Sequence, residues 1–119
     1  MNQLTIEGKK LPFTLNILAL KNFSKHLGYN KPSQIDERFK EMDYSDISFD
    51  DFDLLAAFVF YGLEEGHRMA KKAFKGYSVD EILLKMSENP DIMVNALQAY
   101  SKSVNVDTEK KPVREVEKA

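Results

Sequence analysis

The sequence predicts a mainly α-helical fold with a small N-terminal β-hairpin (α+β): a compact bundle of about five short helices followed by a disordered C-terminal tail. Three observations predict it. Period-two alternation of apolar and polar residues is confined to the first thirteen positions. From Leu15 onward the apolar residues recur at helical spacing, in short stretches punctuated by capping residues, glycine and proline. After about Val104 the pattern stops, and Asn105 to Ala119 holds four acids, four bases and no aromatic residue. The 119 residues therefore divide into one domain, 1–104, and a flexible charged tail, 105–119.

The hairpin comes first. Leu4 and Ile6 alternate with Thr5 and Glu7, and Leu11 and Phe13 resume the alternation on a return strand. Gly8-Lys9 suits a two-residue type II′ turn, with glycine first. Pro12 cannot donate a ladder hydrogen bond, so its strand is expected at an edge. An isolated hairpin is marginal in water, so this one must pack on helices or pair with another chain.

Thr14 is the expected cap of a first helix, Leu15 to Leu27, stopped by Gly28. Its apolar face is broad: Leu15, Ile17, Leu18, Leu20, Phe23 and Leu27. Ser33 is expected to cap a short helix to about Met42, with Ile35, Phe39 and Met42 on one side. Ser48 opens a third helix, with Asp50, Asp51 and Asp53 in its first turns, where the positive end of the helix stabilises negative charge. Its body, Leu54 to Tyr61, is an apolar run of eight residues. Gly62 and Gly66 weaken the end of this helix, by about 1 kcal/mol each relative to alanine. A separate short helix is therefore expected from Glu65 to Lys75, ended by Gly76. Ser78 and Glu81 have capping-box spacing for the next helix. Asn89-Pro90 then opens a last one, lined by Ile92, Met93, Ala96, Leu97 and Tyr100.

Composition excludes several chemistries. The chain has no cysteine, so disulfides, thiolate metal sites and cysteine nucleophiles are absent. Its net charge of -2 lacks the basic excess of a nucleic-acid binder. The eight-residue apolar run falls short of the roughly 20 residues that span a membrane, and the polar N-terminus lacks a signal-peptide core. The expected location is the cytoplasm. His26 and His67, 41 positions apart, fit no metal-ligand spacing. Counted as a calcium loop from Asp43, the acidic run puts Ser48 at the sixth position and Leu54 at the twelfth, where glycine and glutamate are needed. No nucleophile–base pair stands out. The expectation is a protein that is not an enzyme and carries no catalytic residue, cofactor or metal.

Charge is instead segregated along the chain. Pro32 to Asp53 carries eight acids and two bases, and His67 to Tyr77 carries a net +4. Such segments can pair within one chain or between copies. The third helix is apolar nearly all round, so it is either buried on several sides or partly an interface. Such a stripe is more often core than binding groove, and the limited material of a small domain shifts that balance only slightly toward an interface; as an interface, its protein-binding candidates are Leu54, Phe58, Val59 and Tyr61.

These residues also carry a resemblance. Leu4-Thr5-Ile6-Glu7-Gly8-Lys9, a short strand partner and an apolar helix resemble the start of the small tail assembly chaperones of long-tailed bacteriophages and prophages. The later order is similar: the acidic start and apolar body of Phe52 to Leu63, then Tyr77-Ser78-Val79-Asp80-Glu81-Ile82, then Glu88-Asn89-Pro90 and a final helix. The resemblance spans Leu4 to Ser103. It implies a non-enzymatic chaperone that binds the tape measure protein, keeps it soluble and helps recruit tail tube protein around it. A homo-oligomer is also expected, since the hairpin edge can extend a sheet in a neighbouring copy. Neither a nucleic acid nor a membrane is an expected partner.

Overall fold

The computed structural model describes residues 2–110. The element order is the expected hairpin followed by five helices: β1 (Asn2–Ile6), β2 (Lys9–Phe13), α1 (Ile17–Leu27), α2 (Pro32–Glu41), α3 (Phe49–Met69), α4 (Val79–Glu88) and α5 (Asp91–Lys110). α5 takes in the first six residues of the expected charged tail, 105–110, and residues 111–119 lie outside those described.

β1 and β2 pair antiparallel, with Leu4 opposite Leu11 and Ile6 opposite Lys9. The turn residues are therefore Glu7 and Gly8, not Gly8 and Lys9. Both have positive φ, 53° and 78°, the requirement of a type I′ turn, whose twist matches that of the strands. Glu7 tolerates the left-handed region while its carboxylate meets Lys85 of α4 at 2.8 Å.

α3 is the axis of the fold. It runs unbroken for 21 residues, through both glycines that were expected to weaken it. The hairpin explains this. A Cβ on Gly62 would stand 2.7 Å from Phe13 Cζ, and one on Gly66 would stand 2.5 Å from the Phe13 backbone nitrogen. The glycines let β2 lie directly on the helix, and the burial gained there outweighs their poor helix propensity. Thr14 N–H then donates to the Gly62 carbonyl at 3.0 Å, tying the end of β2 to α3. The expected separate helix from Glu65 to Lys75 does not form. α3 ends at Met69, and Lys71 takes the left-handed position (φ 59°). Its N–H reaches the Arg68 carbonyl at 3.1 Å, and that of Lys72 reaches the His67 carbonyl at 2.9 Å. These two bonds form a Schellman stop.

The other helix starts differ from expectation in instructive ways. Asn16, not Thr14, caps α1: its Oδ1 accepts the Ala19 N–H at 3.0 Å. Lys31, not Ser33, stands at the cap position of α2, and Pro32 begins the helix, because proline at the first helical position forfeits only an N–H that would have had no partner. Gln34 Oε1 accepts the N–H groups of Asn30 and Lys31 at 2.9 and 3.0 Å. Ser48 caps α3 and Ser78 caps α4 as expected, each hydroxyl accepting an N–H at 3.1 Å.

The core centres on Phe58. Its ring meets Phe23 of α1 at 5.3 Å, Phe39 of α2 at 5.1 Å and Tyr100 of α5 at 5.7 Å between centroids, all edge-on. Three other helices thus converge on this one side chain of α3, in the geometry that aromatic quadrupoles favour. The opposite side of α3 is closed by the hairpin and by α4, through Ile6, Phe13, Leu63, Ile82 and Met86, each at most 2% exposed.

Candidate functional site

Three of the four residues expected to form a binding surface are in the core. Leu54 is 6% exposed and Phe58 and Val59 are 1% exposed. The hairpin and four helices, each contributing one apolar face, wrap α3 more completely than the small size of the chain suggested. Tyr61 alone reaches the surface. It is half-buried, with its ring against His26 at 5.8 Å and Phe60 at 5.2 Å. The body of α3 is therefore scaffold, and the candidate contact surface lies elsewhere.

The buried Glu65 and His67 are tied into the fold. Glu65 is 3% exposed. It accepts from Arg68 Nε at 2.7 Å and from Asn16 Nδ2 at 2.6 Å. The Arg68 bond, more than the Asn16 bond, holds its carboxyl below the ordinary range, against the opposing effect of burial. One amide thus caps α1 and fastens it to α3. Buried His67 donates Nδ1–H to the Leu63 carbonyl at 2.7 Å and packs on Phe74 at 4.8 Å, which holds the 70–78 loop to α3. Arg38 of α2 pairs with Asp51 at the start of α3, so one acid of the α3 start is bound within the fold. Among the described residues no group of three or more His, Asp or Glu side chains stands together as a metal site, and no helix is long and apolar enough to cross a membrane.

The surface feature that stands out is a groove of about 440 Å³ along α1, lined by Ile17, Leu20, Lys21, Ser24 and Lys25 and by the Tyr29–Pro32 segment. Its construction is local. Gly28 takes φ 80°, its N–H bonds the Lys25 carbonyl at 3.2 Å, and the Tyr29 N–H bonds the Ser24 carbonyl at 2.8 Å. That Schellman turn bends residues 29–32 back alongside the last turns of α1, and Pro32 then launches α2. The helix forms one wall and the returning chain the other.

α1 consequently has two faces in use. Ala19 and Phe23, each 1% exposed, point to the core. Ile17, Leu20 and Ser24, at spacings of three and four, form the groove floor. Ile17 remains 72% exposed. Lys21, Lys25 and Lys31 are exposed at the rim, and none of them is in an ion pair among the described residues. The shape and charge of such a trough are complementary to an apolar side chain flanked by carboxylates. The sequence carried a sign of it, because the apolar face of α1 is too broad for one packing contact.

A second exposed feature joins α2 to α3. Phe49 is 89% exposed and Tyr44 47%. Around them Asp43, Asp46, Asp50 and Asp53 are exposed. The segment is internally braced. Tyr44 donates its hydroxyl proton to the Phe39 carbonyl at 2.9 Å, and the Asp46 N–H reaches the Asp43 carbonyl at 3.1 Å. Asp43 Oδ1 accepts from the Ser45 hydroxyl at 2.6 Å and the Ser45 N–H at 3.0 Å, bonds that lower its pKa. Reading this stretch only as a capped helix start missed the outward Phe49. Comparison with protein-family models, curated proteins and solved structures finds no match to this chain.

Proposed function

We propose that this chain is a non-enzymatic tail assembly chaperone of a phage or prophage, acting in the cytoplasm of the bacterial host. In this role it binds the tape measure protein, keeps it soluble and helps recruit tail tube protein around it. The observation that carries the reading is the apolar groove on α1, open and rimmed by lysines, on a domain whose buried Glu65 and His67 side chains are tied into the fold by hydrogen bonds. Such a groove is a protein-contact surface. The order of hairpin, apolar helix, acid-started α3, capped α4 and Asn89-Pro90 before α5 supports it further, since the resemblance rests on that order. A very long client needs many copies, each with a modest contact, and avidity between neighbours then supplies the strength.

Co-expression tests it. With this chain present, a tape measure protein encoded beside it moves from the pellet to the soluble fraction and co-purifies. A client equally insoluble with and without the chain rejects the proposal. The alternative is a cytoplasmic protein–protein adaptor of the same helical fold. It uses the same groove for a folded partner and leaves the tape measure protein in the pellet.

A further inference from the structure

The two exposed features of the surface are complementary to each other. One is an apolar groove whose rim carries three lysines without an ion-pair partner among the described residues. The other is a braced protrusion that presents an aromatic ring among four exposed aspartates. Within one chain they do not meet: among the described residues the groove is lined only by those between Ile17 and Pro32. We propose that the groove seats Phe49 of a second copy, with the aspartates beside it facing Lys21, Lys25 and Lys31. The proposal goes beyond the chaperone reading: Phe49 occupies the groove of a copy that holds no client, a client entering the same groove displaces it, and neither step depends on what the client is.

The physical case rests on both halves being preformed. An aromatic ring left in water on an ordered segment loses little entropy on docking and buries roughly 150–250 Å². Aromatic anchors in pockets ringed by polar groups supply most of the energy of many interfaces. The opposed charges fix which way the segment enters and speed the encounter. The contact is heterologous: each copy offers one protrusion and one groove. A dimer built this way still has one of each free, so association continues into a ring or an open chain. One protrusion in one groove is smaller than a standard interface of about 1,600 Å². Assembly is therefore concentration-dependent and weakened by salt.

Sedimentation velocity on the purified full chain tests this with two variants. F49S removes the anchor at a site with almost no packing. K21E/K25E reverses the rim while leaving the groove floor in place. Circular dichroism confirms that both are folded. The wild type is expected to show a weight-average mass that rises with concentration and falls at least twofold when salt is raised from about 0.05 to 0.5 M. Each variant alone is expected to be monomeric. Mixed, they retain one working groove, on F49S, and one working Phe49, on the other variant, and so form a 1:1 pair that grows no further. A monomeric wild type at millimolar concentration overturns the proposal. So does self-association of either variant to the wild-type extent, or a mixture that stays monomeric. Co-expression with the tape measure protein is scored separately. Lost solubilisation with intact assembly sinks only the chaperone reading, and intact solubilisation by a strict monomer sinks only this one.

Discussion

Gly66 of α3 lies directly under the Pro12–Phe13 peptide of β2, so close that a β-carbon there would stand 2.5 Å from the Phe13 nitrogen. This contact couples the hairpin to the central helix. It converts two glycines that look like helix defects into the site where strand and helix join. In an open helix, Gly66→Ala would stabilise by about 1 kcal/mol. Here it is expected to destabilise by about 1–3 kcal/mol, because backbone must move to admit the methyl group. Urea unfolding followed by circular dichroism measures the sign. Gly62→Ala meets the Phe13 ring instead of backbone, and is expected to cost less than Gly66→Ala.

Phe58 and Tyr61 are three residues apart on one helix and differ in burial. Phe58→Ala is expected to cost about 3–5 kcal/mol, the usual loss for a buried aromatic ring. Phe58→Asp strands a charge among Phe23, Phe39 and Tyr100 and abolishes the cooperative unfolding transition. Tyr61→Asp keeps the transition and lowers its midpoint by less than Phe58→Ala does. Equal losses at the two positions would contradict the placement of Tyr61 at the surface.

Glu65 gives the domain an acid sensitivity. Its folded pKa lies below the ordinary 4.5, chiefly because Arg68 donates to it. The ionised form is thus favoured by folding. That contribution is complete above the unfolded pKa and disappears as pH falls through the folded value. Glu65→Gln is expected to cost about 1–3 kcal/mol at neutral pH and to flatten the fall of stability below about pH 4.5. Thermal unfolding of both proteins across the acid range decides it, and parallel curves would exclude the effect.

Tyr100 acts at the other end of the scale. Burial, then the nearby Asp36 carboxylate, pushes its pKa up to about 12 from an ordinary 10.0. Between those values the folded state holds a proton that the unfolded state releases, so stability falls as pH rises through the window. Tyr100→Phe is expected to remove that part of the alkaline slope. In the wild type, an ultraviolet titration is expected to show Tyr100 ionising later than an exposed tyrosine. Ionisation of all five tyrosines near pH 10 would overturn the assignment.

Local rules carried much of the fold. Alternation marked the two strands, the Ser48 and Ser78 caps opened α3 and α4 where expected, and Gly28 closed α1, because each is decided by neighbours within four or five residues. The errors arose where a distant residue decided. Gly62 and Gly66 read as a helix end because their reason for being small is Pro12-Phe13, about fifty positions away. Asn16 displaced Thr14 as the cap because its amide also reaches Glu65. The turn shifted by one residue to Glu7-Gly8, and Glu7 there pairs with Lys85 of α4.

The candidate surface shows the same division. By itself the sequence determined a hairpin followed by capped amphipathic helices, and it determined the segregation of acids from bases, since both are properties of residue order. It did not determine which apolar residues face water. Burial depends on how many elements converge on a side chain, and that number is set by packing across the chain. Tertiary structure therefore placed Leu54, Phe58 and Val59 inside and left Ile17 and Phe49 outside, 72% and 89% exposed.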